Sequence, residues 1–142
     1  MEAHTVYLSL GSNLGDKNRN IRQATALIAE RIGILSAISS VYETAPWGFE
    51  SSHSFLNIAV RVETDYLPLD LLEIIQQIER DMGRTHKTTS GYQDRIIDID
   101  IIFYDDWVYQ SERLTIPHPH YQERSFVLEP LKEIIPDDFH IF

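Results

Sequence analysis

Hydrophobic positions in the first third of the chain alternate with polar ones and then recur at helical spacing. Residues 5–10 alternate and are rich in β-branched and aromatic side chains, which predicts a strand. Residues 11–16 favour turns and predict a loop, in which Asp16 or a neighbour can cap the next helix. We expect that helix to end at Gly33, because glycine favours the C-terminal cap. Its predicted core face is Ile21, Ala24, Ile28 and Ile32.

The same two periods recur in the middle of the chain. Residues 34–42 predict a second strand, residues 43–54 a long loop, and residues 55–62 a third strand. Pro68 suits the first turn of a second helix, and Gly83 ends it. The predicted core face of this helix is Leu71, Ile75, Ile78 and Met82.

The most informative stretch is residues 95–104, which reads RIIDIDIIFY and predicts a strand. Side chains alternate between the two faces of a strand. Asp98 and Asp100 therefore share one face, and we expect an apolar strand of this kind to be central in its sheet. The opposite face is predicted to hold Ile97, Ile99, Ile101 and Phe103.

The remaining pattern predicts a short strand at residues 107–109 and a short helix at residues 125–133. The resulting order, β-α-β-β-α-β, indicates an α+β fold with a ferredoxin-like antiparallel sheet and helices on one face. We expect an added C-terminal hairpin and helix, with the helix covering part of the other face.

Length, charge and composition narrow the possible classes of protein. A chain of 142 residues fits a single domain, residues 1–142. Its formal net charge of −10 disfavours nucleic acid as a partner. The sequence has no cysteine and no run of about 18 apolar residues, so we expect no disulfide and no membrane span. These features fit a cytoplasmic protein.

The two aspartates are the first candidates for chemistry. Carboxylates about 7 Å apart on a strand repel by roughly 2 kcal/mol at an effective dielectric near 20. Bound Mg²⁺ would offset this cost, since ligation by oxygen atoms alone favours that ion. Alternatively, the face of the strand that carries the aspartates is simply exposed to water. Arg84 and Arg95 bracket a polar segment beside this strand, and cations so placed suit phosphoryl transfer.

Other positions have both a functional and an ordinary interpretation. Trp47 in the long loop could stack on a flat heterocycle or cover a core edge. Asn57 inside a strand could pair with the edge of a ring or with local backbone. Glu79 could be solvated or could lie at the edge of a site. The turn-rich loop at residues 11–16 could cradle an anion, although an ordinary strand-to-helix connection is favoured and no Walker A motif is present.

Seven short motifs, taken in order, resemble 6-hydroxymethyl-7,8-dihydropterin pyrophosphokinases of folate biosynthesis. The resemblance runs from about residue 7 to about residue 136. The motifs are LSLGSNLG at 8–15, YETAPWG at 42–48, FLN at 55–57, IE with GR across 78–84, RIIDID at 95–100, RLTIPH at 113–118 and RSF at 124–126.

This resemblance implies an ATP-dependent diphosphokinase that moves pyrophosphate from ATP to the pterin and leaves AMP. It implies two Mg²⁺ ions on Asp98 and Asp100, catalytic roles for Arg84 and Arg95, and a monomer in the cytoplasm. The implied substrate-binding residues are Thr44, Pro46, Trp47, Phe55, Asn57 and Phe126. The implied nucleotide-binding residues are Gln76, Glu79, Arg113, Thr115, His118 and Arg124.

Two other functions are compatible with the residues themselves. A ligand-binding regulatory module could use the same fold without chemistry. A metal-dependent nucleotide phosphohydrolase would turn over ATP without a pterin.

Overall fold

A computed structural model describes residues 3–44, 54–83 and 96–136 of the chain. Its elements in order are β1 His4–Ser12, α1 Lys17–Arg31, β2 Gly33–Ile38, β3 Tyr42–Thr44, β4 Phe55–Thr64, α2 Pro68–Asp81, β5 Asp98–Tyr104, β6 Tyr109–Gln110, β7 Thr115–Ile116, a 3₁₀ turn Tyr121–Glu123 and α3 Ser125–Ile134. No helix among these residues is long and apolar enough to cross a bilayer.

The main sheet is antiparallel and has the strand order β2-β4-β1-β5, with β3 also pairing with β4. The predicted ferredoxin-like α+β fold is therefore confirmed. The short β6 and β7 pair separately as the predicted C-terminal hairpin. Its first strand begins at Tyr109, so the prediction that it included residues 107 and 108 is wrong.

Helices α1 and α2 bury their apolar faces against one side of the sheet. The side chain of Asp16 accepts a hydrogen bond from the Arg19 N–H and caps α1, as predicted. Pro68 lies in the first turn of α2. The predicted core residues of both helices are buried and belong to one cluster with Val6, Leu8 and Leu10 of β1.

Helix α3 covers part of the opposite side of the sheet, as expected. Val127 and Leu131 of α3 join a second buried cluster with Tyr7, Ala59 and Phe103. Farther along α3, the Glu133 carboxylate accepts hydrogen bonds from the Ser40 N–H and hydroxyl and from the Tyr42 hydroxyl. The helix is thus attached to the segment that joins β2 to β3.

The prediction that Phe103 shares a face with Ile97 is wrong. Tyr7 of β1 pairs with Phe103, whereas the next residue, Leu8, pairs with Ile101. Ile102 is therefore the extra residue of a β-bulge, which reverses the alternation beyond it. Phe103 turns to the α3 side, and Tyr104 joins the cluster under α1 and α2.

Two predictions need correction, one about the place of β5 in the sheet and one about where β1 ends. Among the described strands β5 is the edge of the sheet and not a central strand. Its side chains are nevertheless buried over most of its length, because α2 and the segment after β5 cover it. Strand β1 continues through Gly11 and Ser12, which were expected in the loop.

Gly33 does not cap α1; it is the first residue of β2. A Cβ at this position would lie 1.9 Å from the carbonyl oxygen of Glu63, so glycine permits the close approach of β4. The single strand expected at residues 34–42 is in fact two, β2 and β3, interrupted at residues 39–41. Both of them pair with β4.

Candidate active site

A set of small and polar side chains occupies the α3 side of the sheet at the end of β1. In register, Gly11 of β1 pairs with Asp98 of β5 on one side and with Asn57 of β4 on the other. Asn57 in turn pairs with Tyr42 of β3. Since strands lie about 4.8 Å apart, this row places the backbone of Asp98 roughly 10 Å from that of Asn57.

Asn57 is 2% exposed, and its Nδ2 donates a hydrogen bond of 2.8 Å to the Thr44 hydroxyl. Thr44 pairs in register with Phe55, so these three predicted substrate-binding residues lie together. Among the described residues, the hydrogen-bond partner of the Asn57 side chain is therefore another side chain, whereas local backbone had been one interpretation.

Gly11 makes room for this arrangement. A Cβ there would lie 2.9 Å from Asn57 Oδ1 and 3.5 Å from a ring carbon of Phe55. Any larger residue would displace the amide. Sequence reasoning missed Gly11 because glycine was assigned to the turn. Tyr7, Ser9 and Gly11 are alternate residues on the face of β1 opposite its apolar positions. This alternation was the signal that could have placed Gly11 in the strand.

Phe126 is near the start of α3 and packs against the second cluster on the same side of the sheet. The residue before the helix, Arg124, is buried, and its carbonyl accepts the N–H groups of Val127 and Leu128. Burial lowers the pKa of the Arg124 guanidinium from its usual value. Both predicted residues thus lie where α3 meets the sheet.

Asp98 and Asp100 project to this same side, as predicted, and both are half-buried. Asp100 pairs with Ser9, directly beside the pair formed by Asp98 and Gly11. Among the described residues no group of three or more His, Cys, Asp or Glu side chains could hold a metal ion. The donor set still fits Mg²⁺, which is commonly held by one or two carboxylates together with substrate phosphates and water.

A cavity of about 250 Å³ lies along the outer edge of β5. Asp100 lines it, so the cavity adjoins the acidic end of the row. Leu72 of α2 forms part of one wall, and the predicted residues Arg113, Thr115 and His118 form another.

Arg113 connects the cavity wall to α2. Its guanidinium donates to Glu73 at 3.1 Å and to the predicted residue Gln76 at 3.4 Å. The backbone N–H of His118 donates to the Ile102 carbonyl at 3.0 Å and fixes the segment after β7 against β5.

Glu79 is the predicted residue with the least expected environment. It is 2% exposed, and its Oε2 accepts the backbone N–H of Ile99 at 2.9 Å. The interpretation of Glu79 as a solvated side chain is therefore wrong.

Four predicted site residues, Pro46, Trp47, Arg84 and Arg95, lie outside the described residues. A contact that sequence reasoning missed involves the two described flanks of residues 45–53. Lys17 Nζ lies 3.1 Å from the Ser54 carbonyl oxygen and 3.8 Å from a carboxylate oxygen of Glu43. The Ser54 hydroxyl also donates to Glu43 at 2.7 Å. No motif pointed to this cluster.

The chain matches a family model for 7,8-dihydro-6-hydroxymethylpterin-pyrophosphokinase over residues 7–136. A Porphyromonas gingivalis protein named 2-amino-4-hydroxy-6-hydroxymethyldihydropteridine pyrophosphokinase is 48% identical over 135 residues, which cover 92% of this chain and 90% of that protein. A Bacillus subtilis protein of the same name is 43% identical over 129 residues, covering 90% of this chain and 76% of that protein.

Solved structures show the same fold. The wild-type HPPK-DHPS of Plasmodium falciparum, crystallised with SDX-DHP, superposes with a TM-score of 0.77 at 18% sequence identity. The match covers 99% of this chain and 42% of that chain.

Fold and sequence together identify an ATP-dependent pyrophosphokinase. The chain belongs to the 7,8-dihydro-6-hydroxymethylpterin-pyrophosphokinase family of folate biosynthesis.

Proposed function

We propose that this chain transfers the pyrophosphoryl group of ATP to the hydroxymethyl oxygen of 6-hydroxymethyl-7,8-dihydropterin in the site described above. AMP and the pterin diphosphate are the products. The observation that carries the proposal is the register row from Asp98 through Gly11 to Asn57. It joins an acidic pair to the buried amide of Asn57 on one side of the sheet, while Asp100 reaches the cavity at the β5 edge.

The pterin would bind at the Asn57 end of the row. The Asn57 amide is held by Thr44 and offers a donor and an acceptor to the edge of a heterocycle. Phe55 and Phe126 supply aromatic faces for the ring. Pro46 and Trp47, which follow Thr44 closely in the sequence, complete our proposed pterin-binding set.

ATP would bind along the outer edge of β5. The cavity there offers Arg113 for phosphate and the Thr115 hydroxyl and His118 for polar contacts, with Gln76 attached to Arg113 from α2. We also assign Arg124 to this region. The triphosphate would then run from the cavity past Asp100 toward the pterin.

We propose that Asp98 and Asp100 hold two Mg²⁺ ions. When bound, such ions neutralise the phosphate oxygens and the charge that develops on them during transfer. Arg84 and Arg95 are the proposed cationic residues that stabilise the same charge.

The chain's own contribution is alignment of two substrates on one rigid surface. The hydroxymethyl oxygen attacks the β-phosphorus of ATP, the bond from that phosphorus to the bridging α,β-oxygen breaks, and AMP leaves. The proton of the hydroxyl passes to solvent. No covalent enzyme intermediate and no side-chain base are needed, because positioning and charge stabilisation supply most of the rate.

We further propose that the enzyme acts as a monomer in the cytoplasm. The absence of cysteine is compatible with a reducing compartment.

The metal assignment is tested by replacing each acidic ligand separately. Asp98→Ala and Asp100→Ala should each lower kcat by several powers of ten at saturating substrates. Loss of one ligand leaves phosphate charge uncompensated, and each tenfold loss corresponds to about 1.4 kcal/mol. Asp65→Ala, at an exposed position directly after β4, is the matched control and should leave turnover unchanged. An effect of Asp98→Ala and Asp100→Ala below about tenfold would refute the assignment.

A further inference from the structure

The buried carboxylate of Glu79 contacts the strand that carries the two aspartates. Glu79 belongs to α2, and its Oε2 accepts the N–H of Ile99 at 2.9 Å. Ile99 lies between Asp98 and Asp100 in β5. The hydrogen bond is therefore made to the backbone of the residue that separates the two aspartates.

The position of β5 in the sheet explains why this contact matters. In an antiparallel pair, alternate residues direct their N–H groups away from the partner strand. β5 is the edge among the described strands, so the outward N–H of Ile99 meets a helix side chain instead of another strand. At Ile99, the Glu79 side chain thus takes the place of a neighbouring strand.

A carboxylate is an expensive group to bury, since its charge must be offset by hydrogen bonds. Glu79 is 2% exposed, whereas the other acidic residues of α2, which are Asp70, Glu73 and Asp81, are exposed. The neighbouring buried positions of α2, Ile75 and Ile78, are apolar.

We propose that Glu79 is a positioning residue that sets the Asp98–Ile99–Asp100 segment for binding Mg²⁺. This inference rests on the proposed function, and it gives Glu79 a role different from the nucleotide-binding one that the sequence resemblance implied. By accepting the Ile99 N–H, Glu79 fixes the position of β5 relative to α2. The same bond thereby sets the separation of the two carboxylates. Its effect on the reaction passes through the backbone.

Two conservative variants separate the effect of side-chain length from the effect of charge at Glu79. Glu79→Gln keeps the side-chain length and an acceptor oxygen but removes the charge. Glu79→Asp keeps the charge but is shorter by one C–C bond, about 1.5 Å, and cannot make the same bond to Ile99. The measurement is the initial rate against Mg²⁺ concentration at saturating ATP and pterin, with the thermal midpoint of each variant.

Positioning through the backbone predicts that Glu79→Asp is the more damaged variant. We expect its Mg²⁺ concentration for half-maximal rate to rise at least tenfold and its kcat to fall at least tenfold. Glu79→Gln should stay within about threefold of wild type on both. Ile75→Ala, a buried change one turn earlier on α2, is the control for lost stability and should lower the thermal midpoint without changing the Mg²⁺ dependence.

Three results would overturn the proposal. One is greater damage in Glu79→Gln than in Glu79→Asp, which would make the charge essential. Another is a raised KM for ATP at saturating Mg²⁺ with unchanged kcat, which would make Glu79 a nucleotide ligand. The third is a change in Mg²⁺ dependence in Ile75→Ala equal to that in Glu79→Asp. Lack of turnover by the wild-type protein would instead refute the proposed function itself.

Hydrogen exchange in the wild-type protein provides a test that needs no variant. The bond to Glu79 predicts that the Ile99 amide is protected to the same extent as the amides between β1 and β4. Exchange of Ile99 as fast as that of an exposed amide would overturn the proposal.

Discussion

At the scale of single residues, Gly11 and Asn57 depend on each other. Asn57 can lie over β1 only because Gly11 has no side chain, and Thr44 then holds the amide by a hydrogen bond of 2.8 Å. The shape of the proposed pterin site therefore depends on the missing side chain of Gly11 as much as on the residues around it.

Gly11→Ala should weaken pterin binding and spare ATP binding. The new Cβ would come within 2.9 Å of Asn57 Oδ1 and displace the amide from Thr44. Because losing one buried hydrogen bond costs roughly 1–3 kcal/mol, we expect KM for the pterin to rise about tenfold or more. Steady-state kinetics with each substrate varied in turn measure this, and an unchanged KM for the pterin would contradict it.

Sequence reasoning found some of these residues and missed others for identifiable reasons. The alternation in β5 placed Asp98 and Asp100 on one face, because a period of two is a local property of the strand. The contact of Asn57 with Thr44 is set by the pairing of β3 with β4, which no local pattern contains. The burial of Glu79 likewise depends on how α2 lies against β5.

At the scale of elements, the order of strands and helices could be predicted from the periodicity of hydrophobic residues. The bulge within β5 and the break between β2 and β3 could not. The bulge at Ile102 turns Phe103 toward α3, yet residues 101–104 are uniformly apolar or aromatic and contain no signal for a change of face. The division of residues 34–42 into β2 and β3 is similarly set by pairing with β4.

Gly33→Ala should destabilise the protein without changing either KM. The added methyl would lie 1.9 Å from the carbonyl oxygen of Glu63, so β2 would have to move away from β4. Overpacking of this kind costs about 1–3 kcal/mol, or roughly 3–10 °C in a domain of this size. Thermal unfolding tests this; an unchanged midpoint would show that the strands separate freely.

The two glycine variants are controls for each other. Gly11→Ala changes the site face of the sheet, and Gly33→Ala changes strand packing at the first residue of β2. A rise in KM for the pterin in both variants would mean that the pocket responds to general loss of stability and not to displacement of Asn57.

At the scale of the whole molecule, stability should fall at high pH. Burial, with a smaller contribution from Asp105, raises the pKa of Tyr104 to about 12. The unfolded value is about 10, so the stability that this group contributes is complete below pH 10 and is lost as pH rises toward 12. Burial also raises the pKa of Tyr121, which acts in the same direction.

Tyr104→Phe tests this pH dependence. The variant lacks the hydrogen bond of 2.6 Å from the Tyr104 hydroxyl to the Tyr66 carbonyl, so we expect lower stability at pH 7. Between pH 10 and 12 it should lose less stability than wild type, with Tyr121 responsible for part of what remains. Denaturant unfolding across this range measures the difference, and parallel curves for the two proteins would contradict the assignment.

Asp100 links the two proposed substrate regions, since it is next to the register row and also lines the cavity beside β5. An enzyme that joins two substrates should convert ATP only when the acceptor is present. This property separates a pyrophosphokinase from a phosphohydrolase, which needs water alone, and from a binding module, which converts nothing.

The most direct measurement is chromatography of ATP incubated with the purified protein and Mg²⁺, with and without 6-hydroxymethyl-7,8-dihydropterin. We predict that AMP appears only with the pterin and in a one-to-one ratio to the pterin diphosphate. Hydrolysis of ATP without the pterin, or no nucleotide conversion by folded protein that binds ATP, would contradict the account.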